Sequence, residues 1–324
     1  MSTEGGTKAV IAALAANLGI AVSKFVAWAV TGSSSMLSEA IHSVADSCNQ
    51  VLLLIGGKRA KRTADERHPF GYGRRRYVYA FVVSIILFLV GGLFALYEGF
   101  HKYQFPEELN QPQWAFGVLF VAIVLESLSL RTALREAKKT RGSKPLSRFV
   151  RDARQPELPV VLLEDTGALI GLAFALFGVT MAVVTGDGRW DGLGSMAIGV
   201  LLVVIAIFLS FEVSSMLVGE GALPEEEALI RAALSDDPRI DRVIHLRTLH
   251  VGPDELLVAA KIAVGRQDTA AAVAEAIDGA EARLRAAVPT AAYVFIEPDI
   301  DRSPRPAVAA PAAPPSESAH REGP

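Results

Sequence analysis

Apolar residues run in long unbroken blocks through the first two thirds of the chain, and polar residues gather between them. Six stretches reach the roughly 20 residues needed to cross a bilayer as a helix, at about Thr7–Val30, Met36–Gly57, Tyr77–Phe100, Gln113–Arg135, Leu158–Thr185 and Asp191–Leu217. Small residues crowd the first (Ala12, Ala13, Ala15, Ala16, Gly19, Ala21), as close helix contacts in lipid prefer. Trp28, Trp114, Trp190, Tyr77 and Tyr79 fall near segment ends, where amphipathic rings anchor at the membrane interface. After Gly219-Glu220-Gly221 the pattern changes. Pro224–Leu234 predicts a helix, with proline in its first turn and glutamates behind it. Arg242–Val251 and Glu255–Val264 predict strands joined by a turn at Gly252-Pro253-Asp254. Thr269–Val288 predicts an alanine-rich helix capped by Asp268 or Thr269, and Ala292–Glu297 a last strand.

The fold class is therefore an α-helical membrane protein with six transmembrane helices, followed by a C-terminal cytoplasmic αββαβ domain, an α+β two-layer unit of the ferredoxin or metallochaperone kind. The division is 1–221 for the membrane unit, 222–300 for the αββαβ unit and 301–324 for a disordered tail. In that tail proline, alanine and serine dominate from Arg302 on.

Charge sets the orientation. The loop after segment two carries Lys58, Arg59, Lys61, Arg62, Arg67, Arg74, Arg75 and Arg76, and that after segment four carries Lys138, Lys139, Arg141, Lys144, Arg148, Arg151 and Arg154. The opposite loops hold only Lys102 and Arg189. The excess of positive residues places the basic loops and both termini in the cytoplasm. Over the whole chain, 51% of residues are hydrophobic and the formal net charge is −3, which gives no general attraction to nucleic acid. The single cysteine, Cys48, excludes an intrachain disulfide and a cysteine zinc cluster; it is expected to serve packing. No basic n-region follows Met1, so no cleavable signal peptide is expected.

Polar residues inside the apolar blocks carry the chemistry. Glu39, His42, Asp46 and Asn49 fall three or four apart in segment two and share a helical stripe. An imidazole and a carboxylate one turn apart suit a divalent cation such as zinc. A charge at that depth costs at least about 2.5 kcal/mol unless something offsets it. The plainer alternative is a buried His–Asp pair that only ties two helices together. Segment five supplies Glu164 and Asp165, and segment four Glu126. Adjacent helical residues point about 100° apart, so Asp165 is expected to face His42 and Asp46 while Glu164 joins a neighbouring polar cluster. Glu126 is read either as a further ligand or as a hydrogen-bonded buried acid. No lysine or arginine is expected at comparable depth to pair with Asp165. There is no catalytic triad, phosphate loop or metalloprotease His-Glu-x-x-His, so an enzyme is not expected.

Taken together, Ser38-Glu39-Ala40-Ile41-His42-Ser43, Asp46-Ser47-Cys48-Asn49-Gln50, His68-Pro69-Phe70-Gly71-Tyr72-Gly73 and Leu162-Leu163-Glu164-Asp165-Thr166 resemble the cation diffusion facilitator family, in its zinc transporter 9 branch. The likeness runs from Thr7 to Asp299. It implies a homodimer, paired through the membrane and cytoplasmic domains, that exchanges Zn²⁺ for H⁺ across the cell's inner membrane and exports metal from the cytoplasm without a resident cofactor. It further implies a tetrahedral transport site with two ligands from segment two and two from segment five. His42, Asp46 and Asp165 match that pattern; the fourth position, a histidine in the family, is Val161. Glu164, Glu39, Glu126, Asn49 or a water is left to complete the shell. An oxygen-richer shell suits harder ions such as Mn²⁺ or Fe²⁺, and an exporter of Mn²⁺, Fe²⁺ or Co²⁺ is the alternative. A non-transporting subunit or metal sensor of the same fold is the second. The family's loop zinc is matched at Asp65 and His68, but Tyr72 stands where a second histidine belongs. In the αββαβ unit Ala260 occupies a ligand position, so that unit is expected to act in dimerisation. Metal and protons compete for such ligands, and a histidine titrates near pH 6.5, within the physiological range.

Overall fold

The computed structural model describes residues 4–31, 34–106, 112–143 and 145–300. The side chains of residues 4, 5, 31, 34–39, 41, 42 and 45 lie outside the described set, as does the tail from 301 on. Helices α1 (Glu4–Thr31), α2 (Ser34–Ala60), α3 (Arg75–Ile86), α4 (Phe94–Gln104), α5 (Pro112–Arg141), α7 (Glu157–Thr185) and α8 (Arg189–Val218) form the membrane bundle, and a short α6 (Leu146–Asp152) lies between α5 and α7. The third sequence segment is not one uniform helix. A seven-residue π-helical piece, Leu87–Leu93, joins α3 to α4. It contains the pair Gly91-Gly92, and such wide turns rotate the two halves of a helix relative to each other. Among the described residues five helical spans are long and apolar enough to cross a membrane: Gly6–Val30, Arg75–Gln104, Pro112–Arg141, Glu157–Thr185 and Arg189–Val218. The 27-residue α2 packs between α1 and α3 and is nearly as long as the 28-residue α1. It is less apolar because it carries the polar stripe.

Cys48 faces outward from the bundle rather than into it, because the inward side of α2 is taken by Ser43, Ser47, Asn49 and Gln50, all buried.

Helices α4 and α8 approach until their backbones touch. A Cβ on Gly99 would lie 2.6 Å from Met196 N, and one on Gly192 would lie 2.7 Å from Tyr103 N. Only glycine permits that separation.

Beyond α8 come α9 (Pro224–Ser235), β1 (Ile240–Gly252), β2 (Glu255–Val264), α10 (Ala270–Ala287) and β3 (Ala291–Asp299), the expected αββαβ order. The sheet runs β1-β2-β3, with β1 antiparallel to β2 and β2 parallel to β3. Along β2 burial alternates residue by residue, with Leu256, Val258, Ala260 and Ile262 inward, as a strand covered on one face requires. These residues meet Ile230, Leu234, Ala276, Ala280 and Leu284 from the two helices in one core. Of the two expected caps it is Thr269 that caps α10, its hydroxyl accepting from Ala272 N at 3.3 Å.

The αββαβ unit sits against one end of the bundle. Arg154 forms an ion pair with Glu220 and donates to the Gly221 carbonyl at 3.2 Å. Gln155 donates to Asp254 at 3.1 Å, Arg148 pairs with Glu225 at 2.8 Å, and Phe70 meets Tyr293 edge to face. At this end the bundle is sealed. Ala9, Val10 and Ala13 of α1, Leu53, Tyr77, Ala133 and Ala137, and Leu158, Val160, Val161 and Leu162 of α7 are all buried in one apolar cluster. Within it Arg76 and Glu157 form a buried ion pair at 3.4 Å.

Candidate metal site and its access cavity

Above the seal the bundle opens. A cavity of about 280 Å³ is lined by Asn17, Ile20 and Lys24 of α1, Ser43, Asp46 and Gln50 of α2, Glu126 of α5, and Glu164 and Asp165 of α7. The helical period explains the membership: positions 17, 20 and 24, and 43, 46 and 50, recur on one face. On α7 the lining continues through Ala168, Gly171, Leu172 and Ala175 to Val179, and on α5 back through Ala122 and Val118 to Ala115. The cavity therefore begins at the carboxylates and runs to the end of the bundle opposite the αββαβ unit. At that mouth Lys102 pairs with Asp191 at 3.1 Å and with Glu98 at 3.5 Å.

The two acids of α7 share the cavity but are held from different sides. Ser129 Oγ donates to Asp165 Oδ2 at 2.6 Å, so Asp165 is fixed by α5. Gln50 Nε2 donates to Glu164 Oε2 at 2.8 Å, and Asn49 Nδ2 to Glu164 Oε1 at 3.3 Å, so Glu164 is fixed by α2. Gln50 in turn accepts from Asn17 Nδ2 at 3.2 Å, which extends the chain of amides to α1. Asn49 Oδ1 is buried without a hydrogen-bond partner among the described residues. Asp46 is half-buried on the cavity wall and Glu126 is buried. The described donors at the floor are all oxygens.

The expectation that Glu164 leaves the cavity for a separate cluster is thus met only in half: it has its own polar partners, yet it lines the same space as Asp165. Lys24 lines the same cavity as Asp165, but it stands seven residues beyond Asn17 on α1, nearer the mouth than the floor. The side chains of His42 and Glu39 lie outside the described residues. Val161, one turn from Asp165, is fully buried in the sealing cluster rather than on the cavity wall. Among the described residues no three of His, Cys, Asp and Glu stand close enough together to hold a metal ion.

Asp65 and His68 are not brought to this cavity. They lie in the loop between α2 and α3, where Asp65 Oδ2 accepts from the Tyr72 hydroxyl at 2.7 Å and from Arg62 at 2.9 Å. Asp65 Oδ1 accepts from His68 N at 2.8 Å, and the His68 ring stacks on Tyr72 at 4.3 Å. The tyrosine standing at the second histidine position holds the carboxylate through its hydroxyl. That hydrogen bond and its neighbours hold the Asp65 carboxyl below the usual carboxylate range.

Sequence reasoning missed Ser129, Asn17, Gln50 and Lys24. The signal was available: each is a polar residue in an apolar helix, and Ser129 follows Glu126 by three residues on the same face.

A multi-pass helical membrane protein with an acidic cavity ending among four carboxylates is built as a cation carrier. The model of the cation efflux transmembrane domain matches residues 10–218, and the chain belongs to the cation diffusion facilitator family, near its zinc transporter 9 branch. These are transporters, not enzymes. The human mitochondrial proton-coupled zinc antiporter SLC30A9 is 34% identical over 244 residues, which cover 75% of this chain and 43% of that protein. Metal tolerance protein C4 of Arabidopsis thaliana is 28% identical over 259 residues, 79% of this chain and 56% of the relative. The cation-efflux pump FieF of Serratia proteamaculans is 28% identical over 236 residues, 72% and 73% of the two chains. The chain spans only about half the length of the first two of these relatives.

Proposed function

We propose that this protein exports a divalent cation, Zn²⁺ first, from the cytoplasm across the cell's inner membrane in exchange for protons. The observation that carries the reading is the cavity. It ends at Asp46, Glu126, Glu164 and Asp165 and opens away from the αββαβ unit, while a packed apolar cluster and the Arg76–Glu157 pair close the other end. A cavity open at one end and sealed at the other is one half of an alternating-access cycle. The basic loops lie at the sealed end, which supports a cytoplasmic placement of that end and, in this reading, a releasing side at the open cavity.

In this reading Asp46 and Asp165, with His42 from the same stripe of α2, bind the ion, and Glu164 or Glu126 completes the shell. Ser129 orients Asp165, and Asn49 and Gln50 orient Glu164. Protons arriving from the open side compete with the ion for the same oxygens and for the imidazole. Their binding expels the metal and reduces the negative charge left in the membrane for the return step. The chain acts as a homodimer, joined through the membrane unit (1–221) and the αββαβ unit (222–300), with the surrounding lipid as its other partner.

Purified protein in liposomes under one pH gradient, offered Zn²⁺, Mn²⁺, Fe²⁺ and Co²⁺ in turn, tests the proposal. Zinc-dependent proton movement that collapses in Asp165→Asn is the expected result, and wild-type protein that moves no ion refutes it. A second reading, export of Mn²⁺ or Fe²⁺, is favoured by one observation: the described floor of the cavity offers only oxygen donors, with an apolar Val161 one turn away, and oxygen suits harder ions. The same ion series separates the two.

A further inference from the structure

The cavity wall carries six acidic side chains (Asp46, Glu98, Glu126, Glu164, Asp165 and Asp191) and two lysines. Lys102 belongs to the mouth, where Asp191 and Glu98 hold it. Lys24 stands elsewhere. Asn17, on its own helix, bonds through Gln50 to Glu164 and so marks the level of the floor. Lys24 is seven residues further along α1 on the same face, about 10 Å nearer the mouth. It is half-buried, lines the cavity, and acts electrostatically on Glu126. A cation travelling between the floor and the mouth passes this ammonium.

We propose that Lys24 is a specificity-determining residue for transport: a tethered cation that shares the acidic cavity with the cargo and gives way only to a divalent ion. The inference rests on the transport reading given above. Four carboxylates lining one cavity inside a membrane protein are unfavourable when ionised without a counter-charge. When the site holds no ion, a lysine on the same wall supplies part of that charge. Because it is covalently attached, its effective concentration in the cavity is high and does not depend on the solution. A monovalent ion brings no more charge than the ammonium already there and does not displace it. A divalent ion brings twice the charge, wins the carboxylates, and turns the ammonium toward the mouth. From there its repulsion of the bound ion favours release to the open side. The residue thus weakens resting affinity and speeds turnover.

The test uses full-length wild-type, Lys24→Gln, Lys24→Met, Lys24→Arg and Asp165→Asn protein in liposomes, with zinc flux measured against zinc concentration and against added NaCl. Removing the charge in Lys24→Gln and Lys24→Met is expected to lower KM about tenfold, the size of one screened charge interaction across a cavity of this kind. It is expected to lower kcat as well, and to make zinc flux sensitive to Na⁺ where the wild type is not. Lys24→Arg keeps the charge and is expected to keep wild-type KM and Na⁺ resistance. A KM unchanged or raised in Lys24→Gln and Lys24→Met, or an equal loss of kcat in Lys24→Arg, overturns the proposal and leaves Lys24 a structural residue. Zinc binding to the same variants in detergent gives the affinity change directly where flux is too low to measure. Wild type without zinc flux, or Asp165→Asn with normal flux, overturns the transport reading and this inference together. Normal wild-type flux with a dead Asp165→Asn and an unchanged Lys24→Gln overturns this inference alone.

Discussion

Ser129 on α5 donates a 2.6 Å hydrogen bond to Asp165 on α7, and both side chains are buried. A hydrogen bond to a charged acceptor contributes about 1.5–3 kcal/mol, and this one fixes which way the carboxylate points. Asp165→Asn is expected to abolish zinc flux. Ser129→Ala is expected to raise KM about tenfold with little change in the amount of folded protein, since about 1.4 kcal/mol of lost positioning is a factor of ten. Zinc flux in liposomes against concentration checks both. Normal KM in Ser129→Ala would mean the carboxylate is oriented by something else.

The amide chain Asn17–Gln50–Glu164 ties three helices together. Gln50→Leu removes both of its links and leaves Glu164 with Asn49 alone. Weakening the partners of buried polar groups costs about 1–3 kcal/mol, so the unfolding free energy in detergent is expected to fall by about that amount. Combining Gln50→Leu with Glu164→Leu is expected to cost less than the sum of the two, because both changes remove the same Gln50–Glu164 bond. Strict additivity would show that the two side chains are not coupled.

Arg76 and Glu157 form an ion pair inside the sealed end, at 7% and 10% side-chain exposure. Removing one partner of such a pair costs about 3–5 kcal/mol. Arg76→Met is expected to lower stability by about that amount and to let a bulky thiol reagent reach a cysteine introduced at Val161 from the αββαβ side. Arg76→Met with Glu157→Leu should restore much of the stability, since no unpaired charge then remains. Equal labelling of the Val161 cysteine with and without Arg76→Met would show that this pair does not close the bundle.

His250 on β1 lies at the contact between the αββαβ unit and the bundle and is 4% exposed. Burial, and next the Arg154 guanidinium, push its pKa below the ordinary 6.5; Glu226, the Gly252 backbone and Asp254 oppose them less strongly. The folded state therefore holds this proton more weakly than the unfolded state does. The stability this gives is fully present above pH 6.5 and is lost as pH falls from there through the lowered folded value. Unfolding of full-length protein is expected to occur at lower temperature as pH drops below 6.5, and His250→Leu should flatten that dependence. An unchanged pH profile in His250→Leu would assign the acid sensitivity to other groups.

Much of this architecture is legible in the sequence because its signals are long and regular. The apolar blocks mark the spans, and the alternation through Leu256, Val258 and Ile262 marks β2 within a residue of its ends. Gln113–Arg135 is cut short because Glu136, Lys138 and Lys139 are polar, yet α5 continues through them to Arg141 on its own backbone bonds. The π-helical piece at Leu87–Leu93 leaves the hydrophobic pattern unbroken and so gives no sign of itself. At the site, periodicity groups Asp46 with Asn49 and finds Glu126 and Asp165. It does not fix helix rotation, and that is why Val161, although one turn from Asp165, lies in the seal. Lys24 was overlooked for a related reason: it stands near a segment end in sequence, and only the cavity's extent toward the mouth brings it into the same space as the carboxylates.

The backbone contact between α4 and α8 makes those two helices a single mechanical part. Neither can slide or roll on the other without driving Gly99 or Gly192 into the facing chain, at separations already too short for a side chain. The end of α8 leads through Gly219-Glu220-Gly221 straight into the αββαβ unit, and its start carries Asp191, the partner of Lys102 on α4. With 30 residues, α8 is a rod about 45 Å long. The αββαβ unit is thereby joined, through a rod of that length braced against α4, to the mouth of the cavity at the opposite end of the bundle.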